Sequence, residues 1–175
     1  MEATGFSLWL MPEGEAFARF GDLITRLAGR HATPAFPPHV TLLGGVTAPE
    51  PVVVALAARL AQSACCLRLE TADLVHSDGY FRAVAVRVKA VPELIDLRAR
   101  ALAALGLEGG PAFEPHVSLL YGQLEAGQRE TIVREVGRDF PDLFDVGRLD
   151  VYSTAGTVDR WSRAARLPLA ERKLT

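Results

Sequence analysis

The sequence predicts an α+β protein built as two like lobes, approximately residues 1–77 and 78–175, that face each other across a cleft. Three observations predict it. A twelve-residue stretch recurs after a shift of 77 residues, strand-like and helix-like segments come in the same order around each copy, and no long linker or low-complexity run separates the halves. The first copy runs from Pro34 to Gly45 and the second from Pro111 to Gly122; nine of the twelve positions are identical, and Thr41 against Ser118 keeps the hydroxyl.

Each element has its own signal. Gly5 to Met11 reads as a strand, with Phe6, Leu8 and Leu10 alternating with Ser7 and Trp9. A helix is predicted between Pro12 and Gly29, carrying Phe17, Phe20, Ile24 and Leu27 at helical spacing. After the first copy, Thr47-Ala48-Pro49-Glu50 has the form of a capping box and predicts a helix to about Ser63 that buries Val53, Leu56 and Leu60. A strand follows near Cys66 to Val75, and the loop His76-Ser77-Asp78-Gly79 is the predicted boundary between the halves. The second half repeats the order. Tyr80 to Lys89 reads as a strand, Pro92 opens a helix with Leu94, Leu97, Ala101 and Leu105 that stops at Gly106, and Ala126 to Arg138 offers Ile132, Val133 and Val136 to a further helix. Two last strands are predicted at Phe144 to Tyr152 and Gly156 to Leu167; strands crossing between the lobes are compatible with this division.

Composition narrows the function. With 49% hydrophobic and 23% charged residues the chain is of ordinary globular type. A formal net charge of -2 and a pI near 6.1 give no long-range attraction for DNA or long RNA, and favour a small substrate. Arg19, Arg26 and Arg30 on the first helix read as solvated charge. The longest apolar stretch, Pro51 to Ala58, is far short of a bilayer span, and the N-terminal residues lack the form of a signal peptide, so a cytoplasmic protein without membrane contact is the expectation. Cys65 and Cys66, the only cysteines, are adjacent and read as reduced structural residues. A monomer is expected.

The repeated stretch carries chemistry. Proline before each histidine favours extended backbone, and in a strand residues two apart share a face, so His39 and Thr41 share one surface and His116 and Ser118 another. A folding unit repeated for stability would keep the valine and leucine positions; it has no need to keep a polar pair on the other face. Two imidazoles and two hydroxyls suit a phosphodiester: one histidine activates water, the other protonates the leaving oxygen, and the hydroxyls hold the non-bridging oxygens. The scheme needs no metal and no cofactor. Two histidines with hydroxyls are a poor zinc set, and the remaining histidines, His31 and His76, read as loop residues.

Both copies fit His-x-Thr/Ser-x with x hydrophobic, and on these residues the chain resembles the two-histidine phosphoesterase superfamily. Within it the similarity is to the cyclic phosphodiesterases of plants and yeast, from Phe6-Ser7-Leu8-Trp9 through Phe36 to Thr41 and on to His116 to Tyr121. The resemblance implies a bilobal fold with antiparallel sheets lining a central cleft. It implies hydrolysis of 2′,3′-cyclic nucleotides to 2′-phosphates, or of ADP-ribose 1″,2″-cyclic phosphate to the 1″-phosphate, with His116 activating water and His39 acting as the acid. It also implies aromatic neighbours of the substrate at Trp9, Phe81 and Tyr121. On the residues alone Trp9 and Phe81 are more often core residues than substrate contacts, and strict alternation turns Tyr121 away from Ser118 unless a bulge intervenes or the strand ends at Gly122. Any disulfide-based control in plant relatives does not transfer to adjacent Cys65 and Cys66. Two other readings use the same residues: a 2′-5′ RNA ligase-like or RNA-end-processing phosphoesterase, and a module that binds a nucleotide without turning it over.

Overall fold

The computed structural model describes residues 1–107 and 112–171, so Pro111 of the second copy lies outside the described residues. In chain order the elements are β1 (Phe6–Pro12), α1 (Gly14–His31), β2 (Val40–Val46), α2 (Glu50–Gln62), β3 (Leu67–His76), β4 (Val84–Val88), α3 (Pro92–Ala104), β5 (His116–Leu120), α4 (Ala126–Val136), β6 (Leu143–Ser153) and β7 (Ser162–Pro168). Adding 77 to the first five spans lands on β4, α3, β5, α4 and β6, which is the duplication expressed as structure; β7 lies beyond the duplicated unit.

All strand pairings between these elements are antiparallel, in the order β1-β2-β5-β4-β3-β6-β7, and β6 also pairs with β1. The pairings therefore form a closed circuit of six strands, with β7 branching from β6. Exchanging each strand with its duplicate leaves the circuit unchanged. The last strand of each half pairs into the other half: β3 runs beside β4, and β6 runs beside β1. This exchange ties the two halves into one α+β fold, with Thr71 on β3 donating from its hydroxyl to the Pro141 carbonyl at 2.9 Å as a further tie.

One face of the strands makes the main core. Leu8, Leu10, Val40, Leu42, Val84, Val86, Val117 and Leu119 are fully buried beneath Phe20, Ile24 and Leu27 of α1 and Leu94 and Leu97 of α3. Burying each such side chain stabilises the fold by roughly 1.5–3 kcal/mol before entropy is counted. The opposite face of β1 also makes an apolar cluster, Trp9, Met11 and Tyr152, and this second face is the one that carries the repeated polar pairs.

Several local expectations are corrected. Thr47 and Glu50 form no capping box: α2 starts at Glu50 with Pro49 as its N-cap and no side-chain cap bond, and Pro51 fixes φ in its first turn. A capping box does form at α4, where Glu125 and Gln128 bond reciprocally. Pro12 ends β1 and does not open α1. Tyr80–Arg82 forms a 3₁₀ turn, so the strand begins only at Val84, and a second such turn, Val158–Arg160, delays β7 to Ser162. His31 ends α1 and His76 ends β3, so neither is a loop residue. Arg26 and Arg30 pair with Asp139 and Glu135 at 2.6 and 2.7 Å, which spends their charge within the fold. Among the described residues no helix is long and apolar enough to cross a membrane.

Candidate active site

The two copies of the motif meet where β2 joins β5. Val40 pairs with Val117, and the same register carried one residue each way sets Thr41 opposite His116 and His39 opposite Ser118. On the outer edges, Thr41 faces Trp9 of β1 and His116 faces Arg87 of β4.

Both rings are anchored alike. Nδ1 of His39 lies 2.7 Å from the Pro37 carbonyl and Nδ1 of His116 lies 2.7 Å from the Glu114 carbonyl. A carbonyl oxygen only accepts, so Nδ1 carries the proton in each ring. Nε2 is then a base when the ring is neutral and a donor when it is charged.

Their surroundings differ. His39 is buried and stacks on Trp9 with centroids 3.7 Å apart and planes 10° apart; Trp9 in turn stacks on Tyr152 at 4.0 Å. Burial pulls the His39 pKa down to about 4, partly offset by the Pro37 carbonyl, and a charge on His116 lowers it further. That mutual term favours one protonated imidazole at a time. His116 is half-buried. Burial lowers its pKa, the Glu114 carbonyl and carboxylate raise it, and Arg82 lowers it.

The hydroxyls also differ. Thr41 is half-buried and makes no side-chain hydrogen bond among the described residues, which leaves its proton for a ligand oxygen. Ser118 donates to the Phe81 carbonyl at 2.9 Å, so its proton is engaged until the rotor turns.

A cavity of about 330 Å³ opens beside His39 and Thr41, walled by Trp9, Phe81, Tyr121 and Trp161. Two larger hollows, of about 700 and 680 Å³, run along α2 and α3 and hold no imidazole. Tyr121 reaches the site because β5 ends at Leu120, and it stacks on Phe36 at 3.6 Å. Trp9 lines the cavity wall yet is 2% exposed, so its main contact is the His39 ring. Phe81 and Trp161 keep partly exposed faces, 5.7 Å apart by centroid. His31 is not brought to the site, whereas His76 shares a small hollow with His116. Sequence reasoning missed Trp161, Tyr152 and Phe36 as site residues. Trp161 precedes β7, which has no duplicate to compare; Tyr152 was legible as the inward partner of Trp9 only once β6 was known to pair with β1.

The sequence model of the 2′-5′ RNA ligase superfamily matches residues 12–157, spanning both motifs. The chain belongs to this superfamily of two-histidine phosphoesterases. A relative named cyclic phosphodiesterase, from Arabidopsis thaliana, is 28% identical over 131 residues, covering 71% of this chain and 69% of that protein. Among solved structures, LigT of E. coli complexed with 3′-AMP is similar with a TM-score of 0.60 and 20% identity, over 97% of this chain and 99% of that one. TT0787 of Thermus thermophilus is similar with a TM-score of 0.64 and 17% identity, over 97% and 100%. These two likenesses establish the shared fold.

Proposed function

We propose that the protein is a metal-independent cyclic phosphodiesterase that opens 2′,3′-cyclic nucleotides to nucleoside 2′-phosphates, ADP-ribose 1″,2″-cyclic phosphate to ADP-ribose 1″-phosphate, or both. The observation that carries this reading is the pair of imidazoles, each held by an Nδ1–H bond to a carbonyl, on adjacent antiparallel strands with a hydroxyl beside each. His39 and His116 are the catalytic pair, Thr41 and Ser118 the phosphate holders. Phe81, Tyr121 and Trp161 border the ligand, and Trp9 orients His39. The Arabidopsis relative's name supports the reaction class, and the E. coli LigT complex with 3′-AMP supports a nucleotide-sized ligand.

The step balances simply. The base takes a proton from water as its oxygen attacks phosphorus in line with the 3′-oxygen; the phosphorus–3′-oxygen bond breaks, and the acid delivers its proton to that oxygen, leaving the phosphate on the 2′-oxygen. Thr41, with its proton free, stabilises the charge that grows on a non-bridging oxygen.

The surroundings order the pair. His39, the more deeply buried and the more strongly depressed of the two, is the base; His116, also lowered by burial but less enclosed, is the acid. This order is opposite to the one the family resemblance implies.

Hydrolysis of the four 2′,3′-cyclic nucleotides and ADP-ribose 1″,2″-cyclic phosphate in excess EDTA tests the reading, with the phosphate position assigned by chromatography. Turnover that survives EDTA and yields 2′-phosphates supports it; loss of turnover with EDTA contradicts the metal-free scheme. The superfamily description favours one second reading, action on RNA ends. An oligonucleotide with a 2′,3′-cyclic end, turned over faster than the mononucleotide and with steep salt dependence, selects that reading.

A further inference from the structure

A second hollow, of about 180 Å³, lies beside His116, bounded by Val75, His76, Arg82, Arg87 and Glu114. It differs in kind from the cavity at His39, whose walls are aromatic and uncharged. Arg87 is the cross-strand neighbour of His116 on β4, and Arg82 stands at the end of the 3₁₀ turn that precedes that strand. Arg82 donates from Nη1 to Glu114 at 2.7 Å and Arg87 from Nη2 to Asp73 at 2.6 Å. Among the described residues each guanidinium spends a single N–H on a carboxylate, and a guanidinium has five. The carboxylates therefore aim the two planar donors without exhausting them.

The duplication sharpens the point. Leu10 pairs with Val40 as Val86 pairs with Val117, so Arg87 corresponds to Met11 in the first copy, and the 77-residue shift sets Arg82 and Glu114 against Gly5 and Pro37. The unit folds in its first copy with none of these charges, so folding does not require them in the second. Both ion pairs are exposed and of the weakly held kind. A phosphate brings more charge than a carboxylate and accepts paired bonds from arginine, so it competes well for the same donors.

We propose that this hollow is a subsite for a second phosphate of the substrate, held by Arg82, Arg87 and His76 while the reacting phosphate lies between His39 and His116. This deepens, and rests on, the cyclic phosphodiesterase reading. The favoured substrate class is then a cyclic phosphate that carries a further phosphate, such as a nucleotide with a 5′-phosphate or a diphosphate-linked ribose, in preference to a bare cyclic nucleoside phosphate.

Two measurements separate this proposal from the reading beneath it. In kinetics, the wild type is expected to show kcat/KM about tenfold higher for adenosine 2′,3′-cyclic phosphate 5′-phosphate than for the 5′-hydroxyl compound, and Arg87→Ala and His76→Ala are expected to lower that ratio towards one. In binding, titration calorimetry of adenosine 2′,5′-bisphosphate against adenosine 2′-phosphate is expected to show the same preference and its loss in Arg87→Ala. Equal wild-type values for the paired compounds, or a preference that both variants retain, overturn the subsite. Absence of turnover on both cyclic compounds and on ADP-ribose 1″,2″-cyclic phosphate overturns the cyclic phosphodiesterase reading, and the calorimetric ratio still decides the subsite because it needs no turnover.

Discussion

The half-site around His39 and the half-site around His116 descend from one repeated stretch, yet they present different environments. Their differences concentrate at the three non-identical positions of the repeat: Pro37 against Glu114, Thr41 against Ser118, and Gly44 against Tyr121. The first puts a carboxylate beside His116 and none beside His39. The second pairs a free hydroxyl with one engaged by the Phe81 carbonyl. The third leaves the cavity open at Gly44 and walls it with an aromatic ring at Tyr121. On the proposed reading, these asymmetric neighbours decide which imidazole is neutral and which carries the proton.

The comparison breaks most clearly at the leaving group. With a nucleoside p-nitrophenyl phosphate, whose leaving group needs no proton, His116→Ala is expected to keep turnover within about tenfold of wild type while His39→Ala loses about 10²- to 10⁴-fold. The opposite pattern would exchange the two roles. The hydroxyls come next: Thr41→Val is expected to lower kcat about 10²-fold and Ser118→Ala about tenfold, because the serine proton must first leave the Phe81 carbonyl. Equal losses would remove that distinction.

Stability offers a third test. The folded pKa of His39, about 4, lies below its ordinary 6.5, so the unfolded chain binds the extra proton. The stability kept by a neutral His39 is therefore complete above about pH 6.5 and lost as pH falls to about 4, by up to about 3 kcal/mol. Denaturant titrations of wild type and His39→Gln across that window should converge as pH falls. The smallest expected effect is at Glu114→Gln, which removes a carboxylate that raises the His116 pKa. The alkaline limb of the pH–rate profile should move to lower pH, with a change of less than about threefold at neutrality.

Much of this was legible in the sequence. Val40, Leu42, Val117 and Leu119 alternate with the polar pairs, and the structure buries them on the face away from His39 and Thr41. The helices were legible from Phe20, Ile24, Leu94 and Leu97 because periodicity reports burial. Other features depend on pairings that no local pattern encodes. The exchange of β3 and β6 between halves is a long-range choice, and without it neither the Trp9–Tyr152 stack nor the nearness of His76 to His116 can be read. The capping box at Thr47 failed because α2 starts at Glu50 with Pro49 as its N-cap, two residues beyond Thr47. Tyr121 defied strict alternation because β5 ends one residue before it.

The most direct test is turnover of adenosine 2′,3′-cyclic phosphate in excess EDTA by wild type, His39→Ala, His116→Ala and the double variant. Wild-type formation of the 2′-phosphate is expected, with a loss of at least about 10²-fold in each single variant and a double variant little worse than either, since the pair acts as a unit. Wild-type activity retained in either single variant would contradict that pairing.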